Sequence, residues 1–173
     1  MSNFIQVPRR RIATQMATMI LVALVTMAIF NHPLYAEEKQ LEISGNINSE
    51  HGAIYFSPGD MAASKPVNII TTSPWTVGKT IFRGVLLRDI LKSVKADGQL
   101  LKASAKDGYT VEIPISDAEK YDVIIAYRMD GKPLEDGVYA PFWIIYPYDT
   151  DTTLANEIYY SRSIWELTKL VIE

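Results

Sequence analysis

The sequence predicts a β-rich α+β domain with a few short helices. Three observations carry this: period-two apolar segments recur along the chain, Gly, Pro and Asp-Gly punctuate them, and only one stretch has a clear apolar helical face.

Ahead of the domain, residues 1–36 read as a targeting leader. Arg9, Arg10 and Arg11 form a basic patch, Met16 to Phe30 is an apolar run, and Pro33 breaks any helix before Ala36. The run is shorter than the ~20 apolar residues that a comfortable span needs, so cleavage after Ala36 is favoured over a retained anchor. Paired arginines admit the twin-arginine route, but the strongly apolar run fits the general secretory route better. The expected location is the periplasm, and the expected domain is residues 37–173.

Within that domain, Leu41-Glu42-Ile43-Ser44-Gly45 alternates and reads as the first strand. Ser57-Pro58-Gly59-Asp60 supplies an N-cap serine, proline at the first helical position and an acid at the third, which predicts a helix over Pro58 to Ala63. Val67 to Thr72 reads as a second strand. Val85 to Val94 reads as the clearest helix, with Leu86, Leu87, Ile90, Leu91 and Val94 on one face and Asp97-Gly98 as its stop. Leu100 to Ala105 and Tyr109 to Pro114 form a hairpin around Lys106-Asp107-Gly108, and Ser116 to Tyr121 reads as a further turn of helix. Asp122 to Arg128 and Phe142 to Tyr146 are apolar enough for central strands, with Asp130-Gly131-Lys132-Pro133 as a turn between them. Leu167 to Ile172 alternates and closes the fold.

Composition excludes several chemistries. The 173 residues contain no cysteine, so disulfides, a lipoprotein anchor, iron–sulfur and zinc-thiolate sites and thiol catalysis are all ruled out. His32 and His51 are the only histidines, which leaves carboxylates for any metal and His51 for any triad base. Without the leader, 14 of the 17 basic residues and all 20 acidic ones remain, a formal net charge of −6. No basic stripe exists to release counterions, so nucleic acid is not an expected partner. Gly78-Lys79-Thr80 resembles the end of a phosphate loop, but Ser73 stands where such a loop needs its first glycine. Asp149, Asp151 and Glu157 could face a hard cation, yet they lack the regular ligand spacing of a calcium loop and read as a solvated segment. His51 sits beside Gly52 in a polar turn and reads as a surface residue.

The aromatic residues are the unusual feature. Ten tyrosines and three tryptophans sit among few charges, many beside predicted loops, where they suit either the core or a planar ligand. Carbohydrate binding could also use them.

Taken in order, Leu41–Gly45, Thr72-Ser73-Pro74-Trp75, Phe82 to Leu91, Asp107-Gly108-Tyr109 with Ile113-Pro114, Ala126-Tyr127 with Asp130 to Leu134, Pro141 with Tyr146-Pro147, and Ser163-Ile164-Trp165 resemble the molybdopterin-binding domain of sulfite-oxidase-like oxidoreductases. The resemblance spans nearly all of residues 41 to 173 and implies an α+β fold of mixed sheets. It also implies departures from the enzymes. The loop that carries their molybdenum-ligating cysteine is here Ile70 to Trp75, and Trp143 and Trp165 replace two cationic anchors of the cofactor, whereas Tyr109 matches the active-site tyrosine. The molybdenum cofactor is therefore not expected. The resemblance implies instead a pterin-sized cavity in which a free, reduced pterin stacks on Trp75, Trp143 or Trp165 and is held by Thr72, Ser73, Tyr109 or Arg162. Small exported proteins resembling this one include pterin-responsive regulators of membrane cyclic-di-GMP synthases or phosphodiesterases, which makes the periplasmic part of such a protein the expected partner. The alternatives are a molybdopterin-dependent oxidoreductase or redox accessory protein, and a ligand-free interaction module.

Overall fold

The computed structural model describes residues 39–173; the leader read at residues 1–36 lies outside them. Strand β1 (Leu41–Gly45) and the last strand, β10 (Leu167–Ile172), pair in parallel at the centre of a five-stranded sheet. Leu41 and Ile43 point inward and are fully buried, as their alternation requires. Beside β1 lies β2 (Ala53–Phe56); beside β10 lie β5 (Leu100–Ala105) and then β6 (Thr110–Pro114), so the order is β2-β1-β10-β5-β6. One parallel pair among antiparallel ones makes this sheet mixed. Gly45, at φ +89°, ends β1 where an added Cβ would lie 2.2 Å from the Ile172 carbonyl oxygen.

The second sheet is antiparallel. Its strands β3 (Pro66–Thr71), β4 (Thr80–Leu86) and β7 (Ile124–Met129) run side by side, and both β8 (Lys132–Pro133) and β9 (Trp143–Ile145) pair with the far edge of β7. Gly84 permits the contact between β4 and β7: a Cβ there would lie 2.3 Å from the Ile125 carbonyl oxygen. Both faces are covered at β7 and β9, while Ile70 and Ile81 on β3 and β4 stay exposed. Val85, Ile125 and Ile144 join a large core that also draws on the first sheet and on helices α1 (Pro58–Ala63), α2 (Leu87–Ser93) and α3 (Ile115–Lys120). Phe82, Ile124, Ala126, Trp143 and Ile145 join a smaller core with Leu134 and Ala140. Burial on both faces is why Val123 to Ala126 reads as an unbroken apolar run.

Helix α1 keeps the predicted bounds and its capping box: Ser57 Oγ accepts from the Asp60 N–H at 3.1 Å, and the Asp60 carboxylate accepts from the Ser57 N–H at 2.8 Å. One element needs correction. Val85 and Leu86 belong to β4, where they pair with Ile125 and Ile124, so the helix predicted from Val85 starts at Leu87. Their apolar side chains satisfy a helical face and a buried strand equally well, and the tertiary pairing decides. Strand β2, the short β8, a 3-10 turn at Thr152–Leu154 and helix α4 (Glu157–Arg162) are additions to the sequence reading, whereas β4 is the strand expected to follow the Gly78-Lys79-Thr80 turn. Among the described residues, no helix is long and apolar enough to cross a membrane.

Candidate functional site

A cavity of about 360 Å³ opens where four segments converge. The β5–β6 turn contributes Ala105, Asp107 and Tyr109, and helix α4 contributes Glu157, Tyr160 and Ser161. The stretch from Ser163 to Glu166 forms a third wall, and Trp75 enters from the β3–β4 loop.

Each wall is fixed by local chemistry. In the hairpin turn, Gly108 takes φ +90° and the Asp107 carboxylate accepts from the Tyr109 N–H at 2.9 Å, which presents the Tyr109 ring to solvent with 55% exposure. Helix α4 starts at Asn156, whose side chain accepts from the Ile158 N–H at 2.8 Å. At its other end, Arg162 forms an ion pair at 2.8 Å with buried Asp117 of α3, which also accepts from the Tyr146 hydroxyl at 2.8 Å. Burial and the Asp117 charge push the Tyr146 phenol well above its usual range. Ser163 is buried: its hydroxyl donates to the Tyr159 carbonyl at 2.9 Å, so the Tyr148 hydroxyl, which bonds to it, acts as the donor in that pair. Burial likewise raises the Tyr148 phenol.

Trp75 is the hub of the aromatic wall. Its ring meets Trp165, Trp143 and Tyr160 edge-on, with centroids 5.5, 5.7 and 5.9 Å away. Trp165 is 39% exposed and turns toward the cavity.

The seven residues singled out from the sequence therefore separate. Trp75, Tyr109 and Trp165 line the cavity together. Thr72 and Ser73 sit outside its lining: Thr72 donates its hydroxyl and its N–H to Asp149, at 2.5 and 3.2 Å, and Ser73 bonds to the Thr76 hydroxyl at 2.8 Å. Trp143 has to be corrected. It is fully buried, with Tyr139 stacked on it at 4.3 Å, Phe82, Trp75 and Trp165 around it edge-on, and its indole N–H donating to the Ser163 carbonyl at 3.0 Å. No face remains for a ligand. Arg162 is corrected likewise, because its guanidinium is engaged by Asp117 and lies 5.5 Å from the Tyr159 ring centroid; it holds α4 in place and does not line the cavity.

Asp107, Glu157 and Glu166 line the cavity, and among the described residues no lysine, arginine or histidine does. The sequence reading does not bring these acids together: it singles out Glu157 alone of the three as a cation ligand, and with other partners. Among the described residues, none of the three makes an ion pair. Glu157 does not form a cation site with Asp149 and Asp151: Asp149 is used by Thr72 and Lys79, and Asp151 caps the 3-10 turn through Thr153. Those bonds hold both carboxyl groups below the usual carboxylate range. Among the described residues, no group of three His, Asp or Glu is placed to hold a metal ion. The Gly78-Lys79-Thr80 turn leads into β4, and His51 is exposed.

The family model of the oxidoreductase molybdopterin binding domain matches residues 57–148, just over half of the chain. No curated protein matches significantly. Among solved structures, the sulfane dehydrogenase SoxCD from Paracoccus pantotrophus shares the fold, with a TM-score of 0.59 at 16% identity over 80% of this chain. That alignment spans only 39% of the dehydrogenase chain. Helix α4 and the Ser163–Glu166 wall lie beyond the stretch that the family model matches.

Proposed function

The chain belongs to the oxidoreductase molybdopterin-binding domain family, and from that premise we propose that it is a non-catalytic member whose cavity holds a free, unphosphorylated pterin. One observation carries the reading: the cavity has aromatic walls and three carboxylates, and among the described residues no cationic side chain lines it.

The full molybdenum cofactor does not suit these residues. Its phosphate dianion would share the cavity with Asp107, Glu157 and Glu166, and among the described residues no lysine or arginine of the lining could pair with it. Its metal would lack a thiolate, since the chain has no cysteine. A free pterin is neutral and flat, with donors and acceptors along its edge. Trp75, Tyr109, Tyr160 and Trp165 offer ring faces and edges for stacking, and the serines and carboxylates offer partners for the edge.

In this proposal the protein is exported to the periplasm and senses the pterin for a membrane partner, such as a cyclic-di-GMP synthase or phosphodiesterase. The leader pattern of residues 1–36 and the resemblance to pterin-responsive regulators support that part. Ligand binding would shift the partner equilibrium only by its difference in affinity for the two protein states.

The test is to purify the protein from its native location, denature it, and identify released pterins by fluorescence and mass, followed by titration with reduced pterins. Release or micromolar binding, weakened at least tenfold by Trp75→Ala, is the expected result. Stoichiometric molybdenum after expression with cofactor supply would overturn it in favour of an oxidoreductase.

A further inference from the structure

We propose that Glu166 is the residue that selects the ligand, by taking the paired N–H donors of an amidine-type edge, such as the 2-amino-4-oxo edge of a pterin, onto its carboxylate. This rests on the pterin reading above and goes further, since it names the recognised group and the residue that reads it.

Among the three carboxylates of the cavity, Glu166 is the one prepared for this work. The Asp107 carboxylate is already committed to its own turn through the Tyr109 N–H. Glu157 is exposed in the first turn of α4. Glu166 is half-buried beside Trp165 and makes no ion pair among the described residues. Its backbone is pinned on both sides: the N–H donates to the Tyr139 carbonyl at 3.1 Å, and the carbonyl accepts from the Lys106 N–H at 2.9 Å.

That pinned backbone is left-handed, with φ +47°. The conformation favours glycine, because a Cβ crowds the following carbonyl. Here it launches β10 into the irregular pairing between Leu167 and Lys169. Glycine would serve the turn better, so the side chain of Glu166 is a cost to the fold that a role in the cavity explains.

The chemistry follows from geometry. A carboxylate presents two parallel acceptors, and an amidine edge presents two parallel donors, which together form a bidentate pair. Trp75 and Trp165 stand at 67° to one another, so stacking on the face of one, with the other meeting the ligand edge-on, would set the plane of the ring, and Glu166 would set its rotation. A heterocycle with an oxo group in place of the 2-amino group turns an acceptor toward the carboxylate and is repelled.

The experiment compares pterin with lumazine, which differs in that single group, by tryptophan fluorescence titration of the purified protein and of Glu166→Gln and Glu166→Gly. The wild type is expected to prefer pterin by about 10- to 100-fold, the range of a charge-assisted bidentate contact, and both variants are expected to lose that preference. Glu166→Gly should also melt no lower than the wild type, which separates lost recognition from lost folding. Equal binding of pterin and lumazine by the wild type overturns the role of Glu166 while leaving a pteridine site intact. A preference that survives in both variants also overturns it, because another group then reads the edge. Absence of binding by either compound overturns this inference, and absence of binding by the reduced pterins as well overturns the pterin reading.

Discussion

Replacing Asp117 with alanine should loosen helix α4, and with it one wall of the cavity, although Asp117 does not line the cavity. Asp117 is 7% exposed and accepts two charge-assisted hydrogen bonds, from Arg162 and from the Tyr146 hydroxyl, each 2.8 Å long. Alanine leaves a mostly buried guanidinium and a buried hydroxyl without an acceptor. Breaking a fully buried pair costs about 3–5 kcal/mol; the Arg162 side chain keeps 22% exposure and can recover some hydration, which lowers the expected cost to about 3 kcal/mol. For a domain of this size that corresponds to a fall of about 10 °C in melting temperature. Urea unfolding of Asp117→Ala, Arg162→Gln and the double variant would measure it. The double variant should cost about 1–2 kcal/mol less than the sum of the single ones, the mark of a direct interaction. Ligand affinity should weaken in both single variants, because α4 presents Glu157, Tyr160 and Ser161 to the cavity. A cost below about 1 kcal/mol for Asp117→Ala, or strict additivity, would refute the account of how α4 is held.

Gly84→Ala should destabilise the protein by about 3 kcal/mol or more, because the added Cβ, 2.3 Å from the Ile125 carbonyl oxygen, forces β4 and β7 apart; loss of soluble protein or a matching fall in urea midpoint checks this. Trp143→Ala should cost about 3–5 kcal/mol by emptying the smaller core, whereas Trp165→Ala should cost about 1 kcal/mol in folding and act on ligand affinity; paired urea melts with ligand titrations distinguish the two. Stability should also fall above pH ~10, where tyrosines of the unfolded chain ionise while burial keeps Tyr146 and Tyr148 neutral in the folded one. These raised groups contribute fully below the unfolded pKa and lose their contribution as pH rises toward the folded values, at up to about 1.4 kcal/mol per pH unit for each. Tyr148→Phe should flatten this alkaline loss, as measured by urea midpoints from pH 8 to 11.

The fold was legible wherever local signals and tertiary pairing agree. Helix α1 carries its own capping box, and β1 alternates cleanly because only one of its faces meets the core, whereas the alternation of β10 is interrupted by the irregular pairing between Leu167 and Lys169. Legibility failed at Val85 and Leu86, where the strand pairs with β7 and helix α2 follows at once, so the apolar residues of both elements merge into one helical-looking stripe. Helix α4 escaped notice for a different reason. Its Glu157 to Arg162 stretch has no fully buried residue and is held by Asn156 and Asp117, partners that its own hydrophobic pattern does not show.

The site divides along the same line. Tryptophans can be counted in a sequence, but Trp143 and Trp165, 22 positions apart, differ only in what covers them, and Tyr139 stacks on the first and not on the second. Charges are harder still, since Asp107, Glu157 and Glu166 belong to a turn, a helix start and a strand start with no shared spacing. Their convergence nevertheless decides what the cavity can hold. Aromatic walls alone would accept a phosphorylated or an unphosphorylated heterocycle equally, because stacking does not sense a distant charge. Three carboxylates without ion pairs among the described residues remove that neutrality, favouring donor-rich or cationic edges and repelling anionic tails. Among the described residues the lining carries acids and no cationic side chain, so under the proposed pterin reading selectivity rests on the edge of the heterocycle, and Glu166, at a backbone position suited to glycine, is where it can be measured.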